Sequence, residues 1–399
     1  MTTLHRFAVL IAAASMAQPV TAQSLFLLNA FAVDRAGTAL VDVAGARLID
    51  DRGQLRACGQ TTVAQAVARL DAPGFLVRLM EGATPPNLRV EQWSGNGAAE
   101  WQVETPFFSS MAPVPGGSAV ISRQTVGAEL IEFQRLDANG QEIWRSTLAN
   151  AERPPSFYDY TVDDRGRLLF TLPRPQGEQR WRVEVGMLDA AGRMAWLQSE
   201  IREGFSIPVL VNDGQGDFWW HQAGSATPST TVPSALQRLT PWGLPLSRNT
   251  GPELAAGRDI ERPVAGANDT LWYLATKPNA DVELARLTPG GKLARYPTRR
   301  SLVTQLVADG EGAWLAAYTG AYEFTVEHYT AAGRQWSRVL RGLRDVRLEI
   351  QPGGDLRLLA LESDGISVRR IAAGTGQVLW RTGRPQMERE CAALNGGNR

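Results

Sequence analysis

Two tight-turn signals alternate along this chain, and their recurrence restricts the fold more than any other feature. The first reads Asp-x-x-Gly or a glycine-rich equivalent. It ends at Gly37 (VDRAG), Gly74 (LDAPG), Gly117 (VPGG), Gly166 (VDDRG), Gly216 (NDGQG), Gly312 (ADGEG) and Gly354 (QPGG), with GANDT around Asp269 in the sixth unit. The second ends at Gly53 (IDDRG), Gly97 (SGNG), Gly140 (LDANG), Gly192 (LDAAG), Gly243 (LTPWG), Gly291 (LTPGG), Gly333 (YTAAG) and Gly376 (AAGTG), and recurs every 42 to 52 residues. Each suits a hairpin, because glycine accepts a positive φ and the Asp side chain bonds the turn backbone.

The flanks are short and rich in β-branched and aromatic residues: GRLLFTL, RWRVEVGML, DFWWH, DTLWYLA, GAWLAAY, DLRLLALE. These are strands. Each unit holds four of them as an antiparallel blade, which cannot bury both faces alone. Stacking around an axis buries them. The expectation is an all-β single domain, an eight-bladed β-propeller over residues 23–390. The alternative is seven blades, if the short first unit, residues 24–58, completes the last blade. Residues 391–399 read as a C-terminal tail.

Tryptophan follows the second turn at a fixed offset. Gly97, Gly140, Gly192 and Gly376 precede Trp101, Trp144, Trp196 and Trp380 by four positions, and Gly333 precedes Trp336 by three. A ring at the same place in successive units is expected to pack between blades.

Arg6, the apolar run FAVLIAAASM from Phe7 to Met16, and small residues at Val20 and Ala22 form a signal peptide over residues 1–22. Cleavage after Ala22 would place the protein in the periplasm or outside the cell. No later run is long and apolar enough for a transmembrane helix. The formal net charge is zero, and no basic arm or stripe offers the phosphate attraction that nucleic acids require. A monomer is expected.

The sequences LDANGQEIW, LDAAGRMAW and AAGTGQVLW resemble the repeat of pyrroloquinoline-quinone-type β-propellers. That superfamily includes quinoprotein alcohol dehydrogenases and the periplasmic lipoprotein propeller of the outer-membrane β-barrel assembly machinery. The resemblance implies a propeller and leaves function open. The dehydrogenases carry adjacent cysteines beside their cofactor, whereas Cys58 and Cys391 are far apart. The lipoprotein carries a lipidated cysteine that has no counterpart after Ala22.

Catalytic signatures are sparse. Beyond the signal only His221 and His328 occur, with no GxSxG, HExxH, CxxC or Walker motif. Carboxylates such as Asp163 and Asp164 fall in turns. No metal and no cofactor is expected. The leading expectation is therefore a scaffold for a protein or peptide of the cell envelope, with envelope assembly as one setting. The alternative is a quinone-dependent oxidoreductase, or a hydrolase or lyase using carboxylates at the central channel.

Candidate binding residues are aromatics assigned to the face opposite the hairpin turns: Phe107, Phe108, Phe157, Tyr158, Phe205, Trp219, Trp220 and His221. The last three precede the longest variable segment, from Gln222 to Leu236. Finally, a propeller must fasten its first blade to its last. Cys58 follows the second hairpin of the first unit and Cys391 that of the last, so a disulfide between them is expected in an oxidising compartment.

Overall fold

The computed structural model describes residues 30–396 except 44, 71, 82–86, 106–108, 126–129, 150–158, 178–179, 204–208, 213–216, 223–224, 227–230, 233–234, 250–257, 267, 269, 277–281, 301–302 and 309–311. The segment read as a signal peptide lies outside these residues.

The turn signals become the hairpins they encode. Asp34, Asp50, Asp137, Asp163 and Asp189 each accept, through Oδ1, the N–H groups two and four residues ahead at 2.8–3.0 Å. The closing glycine takes a left-handed conformation, φ +78° at Gly37 and +77° at Gly140. A side chain there would be strained, so the turn sequence is dictated locally.

Between the hairpins lie eight four-stranded antiparallel sheets, each built from one contiguous stretch of chain. The chain folds as eight blades, not seven. Blade 1 spans residues 32–58, blade 2 62–105, blade 3 109–149 and blade 4 159–203. Blade 5 spans 209–249, blade 6 258–300, blade 7 303–341 and blade 8 343–383. The innermost strands of successive blades touch all the way round, and that of blade 8 touches that of blade 1. The ring is closed.

The core is distributed over the junctions. Eight apolar clusters are found among the described residues, one at each interface between neighbouring blades. The pleat explains this, because successive residues of a middle strand point to opposite faces. In the second strand of blade 1, Val41 packs toward blade 8 and Leu40 toward blade 2.

The repeated tryptophans sit on the next blade's turn. A Cβ added to Gly140 would lie 2.8 Å from Trp101, one on Gly192 2.5 Å from Trp144, and one on Gly243 2.7 Å from Trp196. The indole N–H groups of Trp144, Trp196 and Trp336 donate to the carbonyls of Ala190, Pro241 and Ala373 at 2.7–3.0 Å. Only glycine lets the ring approach so closely, so tryptophan and glycine form one unit split across two blades. In blade 6 a tyrosine substitutes: the Tyr296 hydroxyl donates to the carbonyl of Ala331 at 3.2 Å.

The last blade ends in a helix, α1 (Arg384–Gly396), which contains most of the segment read as a tail. It returns to blade 1. Met387 and Cys391 join the cluster between blades 8 and 1, and the Leu55 N–H donates to Glu390 at 3.1 Å. Cys391 forms a disulfide with Cys58, with Cα atoms 5.9 Å apart across 333 residues of sequence. That separation is within the span a disulfide bridges.

Candidate functional site

Hairpin turns occupy one face of the ring. The opposite face carries the loop inside each blade and the crossover to the next blade. Of the aromatics assigned to that loop face, Phe107, Phe108, Phe157, Tyr158 and Phe205 lie outside the described residues. His221 lies in the strand Phe218–Gln222, paired with Val209 and Leu236, and its side chain is likewise outside them.

Trp219 and Trp220 correct the sequence reading. They are 1% and 4% exposed. Trp219 packs with Leu271 and Tyr273 of blade 6, and Trp220 with Leu169 and Val185 of blade 4. The strand is the second of its blade, so both of its faces are covered and adjacent aromatics enter opposite junctions. The segment that follows contributes a small ribbon, Ser225–Ala226 paired with Thr231–Val232.

The loop face carries a site that the sequence reading missed. In blade 7 the strands Gly312–Gly320 and Glu323–Thr330 are joined by a tight turn through Tyr322. Tyr322 has φ +62°, one of two positive-φ residues other than glycine among the described residues. The left-handed conformation costs a side-chain-bearing residue about 1–2 kcal/mol. The residue is 42% exposed, and the Arg344 guanidinium stands 5.9 Å from the ring centroid. The Leu343 N–H donates to the Tyr322 carbonyl at 3.0 Å, which ties the turn to the next blade. Arg344 is the second residue of the innermost strand of blade 8, Leu343–Ile350. Further along that strand, Asp345, Arg347 and Glu349 alternate with buried Val346 and Leu348. One blade thus lines its share of the inner ring with charge.

Polar side chains also stitch the inner ring. Asp159 of blade 4 accepts the Leu210 N–H of blade 5 at 2.8 Å and the adjacent Tyr160 N–H at 3.0 Å. Gln305 of blade 7 accepts the Leu348 N–H at 2.7 Å and donates to the Leu348 carbonyl at 3.2 Å. Burial pushes the Asp159 carboxyl up to about 6, against the lowering pull of its two backbone hydrogen bonds. Burial also raises Glu349, with Arg347 opposing. Blades 4 and 8 are opposite one another in an eight-membered ring. The two carboxylates therefore stand on different walls, each engaged by its own neighbours.

No protein-family model matches the chain, and no curated protein matches it by sequence. The likeness to the pyrroloquinoline-quinone-type repeat therefore rests on the repeat residues alone. Solved structures do match the fold. Apo AztD from Citrobacter koseri superposes with a TM-score of 0.55 at 11% identity, covering 85% of this chain and 91% of that one. The β-propeller domain of the Trilobed protease from Pyrococcus furiosus, described as having an open velcro topology, gives 0.52 at 8% identity, covering 78% and 95%. Likeness at this identity establishes the architecture. Among the described residues of this chain, no strand is exchanged between first and last blades.

Proposed function

We propose that this chain is an exported periplasmic propeller that binds a protein or peptide of the cell envelope on its loop face, around Tyr322 and Arg344. The observation that carries the reading is the strained, half-exposed tyrosine under an arginine. A turn whose geometry favours glycine or asparagine holds a large aromatic instead. Local strain of this kind concentrates where a side chain is presented to a ligand. Tyrosine and arginine are also the residue types that anchor protein interfaces.

Export is supported by the leader sequence and by the disulfide, a bond that oxidising compartments maintain. The channel carboxylates are what a hydrolase or lyase would draw on. Asp159 and Glu349, both raised by burial, stand on opposite walls and do not share one reacting centre.

The reading is tested by placing a photo-crosslinking amino acid at position 322, with a control at Asn139 on the turn face. A discrete adduct from 322 in living cells, absent from 139 and lost with Arg344→Ala, is the expected result. Equal labelling at both positions would remove the assignment.

A further inference from the structure

The eight outer turns of this protein serve as controls for one another, and one departs from the rest. In blade 5 the turn is Thr240–Pro241–Trp242–Gly243, followed by Leu244–Pro245–Leu246. Trp242 is 74% exposed, Leu244 62% and Leu246 50%. At the place of Trp242 the other turns carry small or polar residues, such as Arg52, Asn96, Asn139 and Thr375. At the place of Leu244 they carry polar or charged residues in six of seven cases, for instance Gln54 and Arg193. From Leu239 to Ser247 there is no charge. Exposed Met194, on the outer strand of blade 4, adds apolar area on the far side of the same junction.

Most backbone polar groups of this turn are bonded, as they are in other outer turns. Pro241 and Pro245 have no N–H. The N–H groups of Trp242 and Leu244 donate to Thr240 Oγ1 at 3.2 and 3.0 Å. The Thr240 N–H donates to the Leu244 carbonyl, and the Gly243 N–H to the Thr240 carbonyl, both at 2.9 Å. Blade 4 supplies the remaining donors: Trp196 Nε1 to the Pro241 carbonyl at 3.0 Å, and Gln198 Nε2 to the Gly243 carbonyl at 2.6 Å. Every N–H from 240 to 245 is therefore bonded or absent, and four of the carbonyls are bonded.

We propose that the blade 5 turn inserts into the interface of a lipid bilayer, docking the propeller on a membrane surface through Trp242, Leu244 and Leu246. The acyl region offers no hydrogen-bond partners, so the bonded groups of this turn lower the cost of approaching it. What points to a lipid surface is the composition of the tip, an exposed tryptophan flanked by exposed leucines with no charge from 239 to 247. Tryptophan is the residue type favoured at the boundary between headgroups and acyl chains. The tip projects from a rigid hairpin braced by the neighbouring blade, so little ordering is needed on insertion. Because the tip is uncharged, attachment should depend little on anionic lipid. The proposal is independent of the loop-face reading, since it concerns the opposite face.

The test uses the full mature chain and two vesicle types, phosphatidylcholine alone and an equimolar phosphatidylcholine–phosphatidylglycerol mixture. Flotation should recover the protein with both to a similar extent. Trp242→Ser/Leu244→Ser should bind about tenfold more weakly or worse, as expected for exposing these side chains to water again. An unchanged melting temperature would show that the variant keeps its fold. Quenching of fluorescence by brominated phosphatidylcholine should occur in the wild type and fall in Trp242→Phe, which should still bind. The proposal is overturned by absence of flotation, by equal flotation of the double variant, or by flotation only with the anionic mixture. Self-association of the wild type that the double variant abolishes, without lipid binding, would also overturn it and mark a protein interface instead.

Discussion

Trp380 of the last blade donates its indole N–H to the carbonyl of Asp51 in the first blade at 2.9 Å, across 329 residues of sequence. Its ring lies against Gly53, where an added Cβ would be 2.8 Å away. This is the same tryptophan-on-glycine contact that joins several neighbouring blades, now used to close the ring. Arg357 covers the same indole, its guanidinium 4.4 Å from the ring centroid, and donates to the Gly37 carbonyl at 2.9 Å. The Thr382 hydroxyl donates to the Gly53 carbonyl at 2.7 Å. Closure is a repeat of the ordinary junction reinforced by buried polar contacts, the C-terminal helix and a disulfide.

Gly53→Ala should therefore cost more than a turn glycine of the same conformation in open space. Gly116 has φ +87° and would place an added methyl with nothing within 4 Å, whereas Gly53 has φ +82° and meets Trp380. Both substitutions incur about 1–2 kcal/mol for a left-handed alanine. Gly53→Ala adds about 1–3 kcal/mol of overpacking at the closing junction. Paired denaturant titrations compare them. Equal destabilisation would mean that the Trp380 contact does not constrain the ring.

Removing the disulfide should lower stability by about 2–5 kcal/mol, the usual range for losing a native bond. Cys58→Ser/Cys391→Ser and chemical reduction of the wild type should agree. The loosening should begin at the helix, because Leu55 and Glu390 lose the tether beside their hydrogen bond. Hydrogen exchange resolved by segment would then show residues 384–396 opening before blades 3 to 6.

Asp159 makes stability depend on pH in a definite direction. Its carboxyl is raised from 3.8 to about 6 in the folded state. Below the ordinary value it is protonated folded and unfolded, and its burial carries no charge penalty. As pH rises through about 6 the folded protein must hold a buried charge that the unfolded chain carries freely, so this stabilisation is lost. Asp159→Asn should flatten that slope between about pH 4 and 6 and should be no less stable than wild type at neutral pH. Glu362 acts in the opposite direction at the acid end of the window. Burial would raise it, but hydrogen bonds from Arg381, Ser367 and Arg369 hold it down at about 2. Its stabilisation is complete above the ordinary carboxylate range and is lost progressively as pH falls from there through about 2. This contribution is shared by wild type and Asp159→Asn and cancels in their difference. A variant that retains the wild-type slope would rule Asp159 out as its source.

Tyr322→Gly separates binding from stability. Relief of the left-handed tyrosine should offset the loss of the contact with Arg344, leaving stability unchanged or higher by about 1 kcal/mol. Crosslinks formed from a neighbouring probe at Ala321 should disappear in the same variant. A loss of more than about 1 kcal/mol would show that the ring holds the fold together instead.

The turns are legible in the sequence because their chemistry is local: an Asp side chain bonded to its own hairpin, and a glycine at positive φ. The tryptophan spacing is legible for the same reason, and the cysteines follow once the units form a ring. Trp219 and Trp220 are misplaced by sequence alone because exposure is a property of strand position. Nothing within DFWWH says that both faces of that strand are covered. Tyr322 leaves no composition signal, since its distinction is a backbone angle. Trp242 does leave one. It stands in LTPWG among seven otherwise polar or small turns, visible when the repeats are compared position by position.

A closed ring, fastened from first blade to last in an exported protein, is the central claim. Non-reducing tryptic mapping of protein recovered from the periplasm tests it most directly. The peptide of residues 57–69, containing Cys58, should be found linked to that of residues 390–399, containing Cys391. No free thiol should be alkylated at either position. Separate, fully alkylated peptides from both cysteines would contradict the covalent closure and the oxidising compartment together.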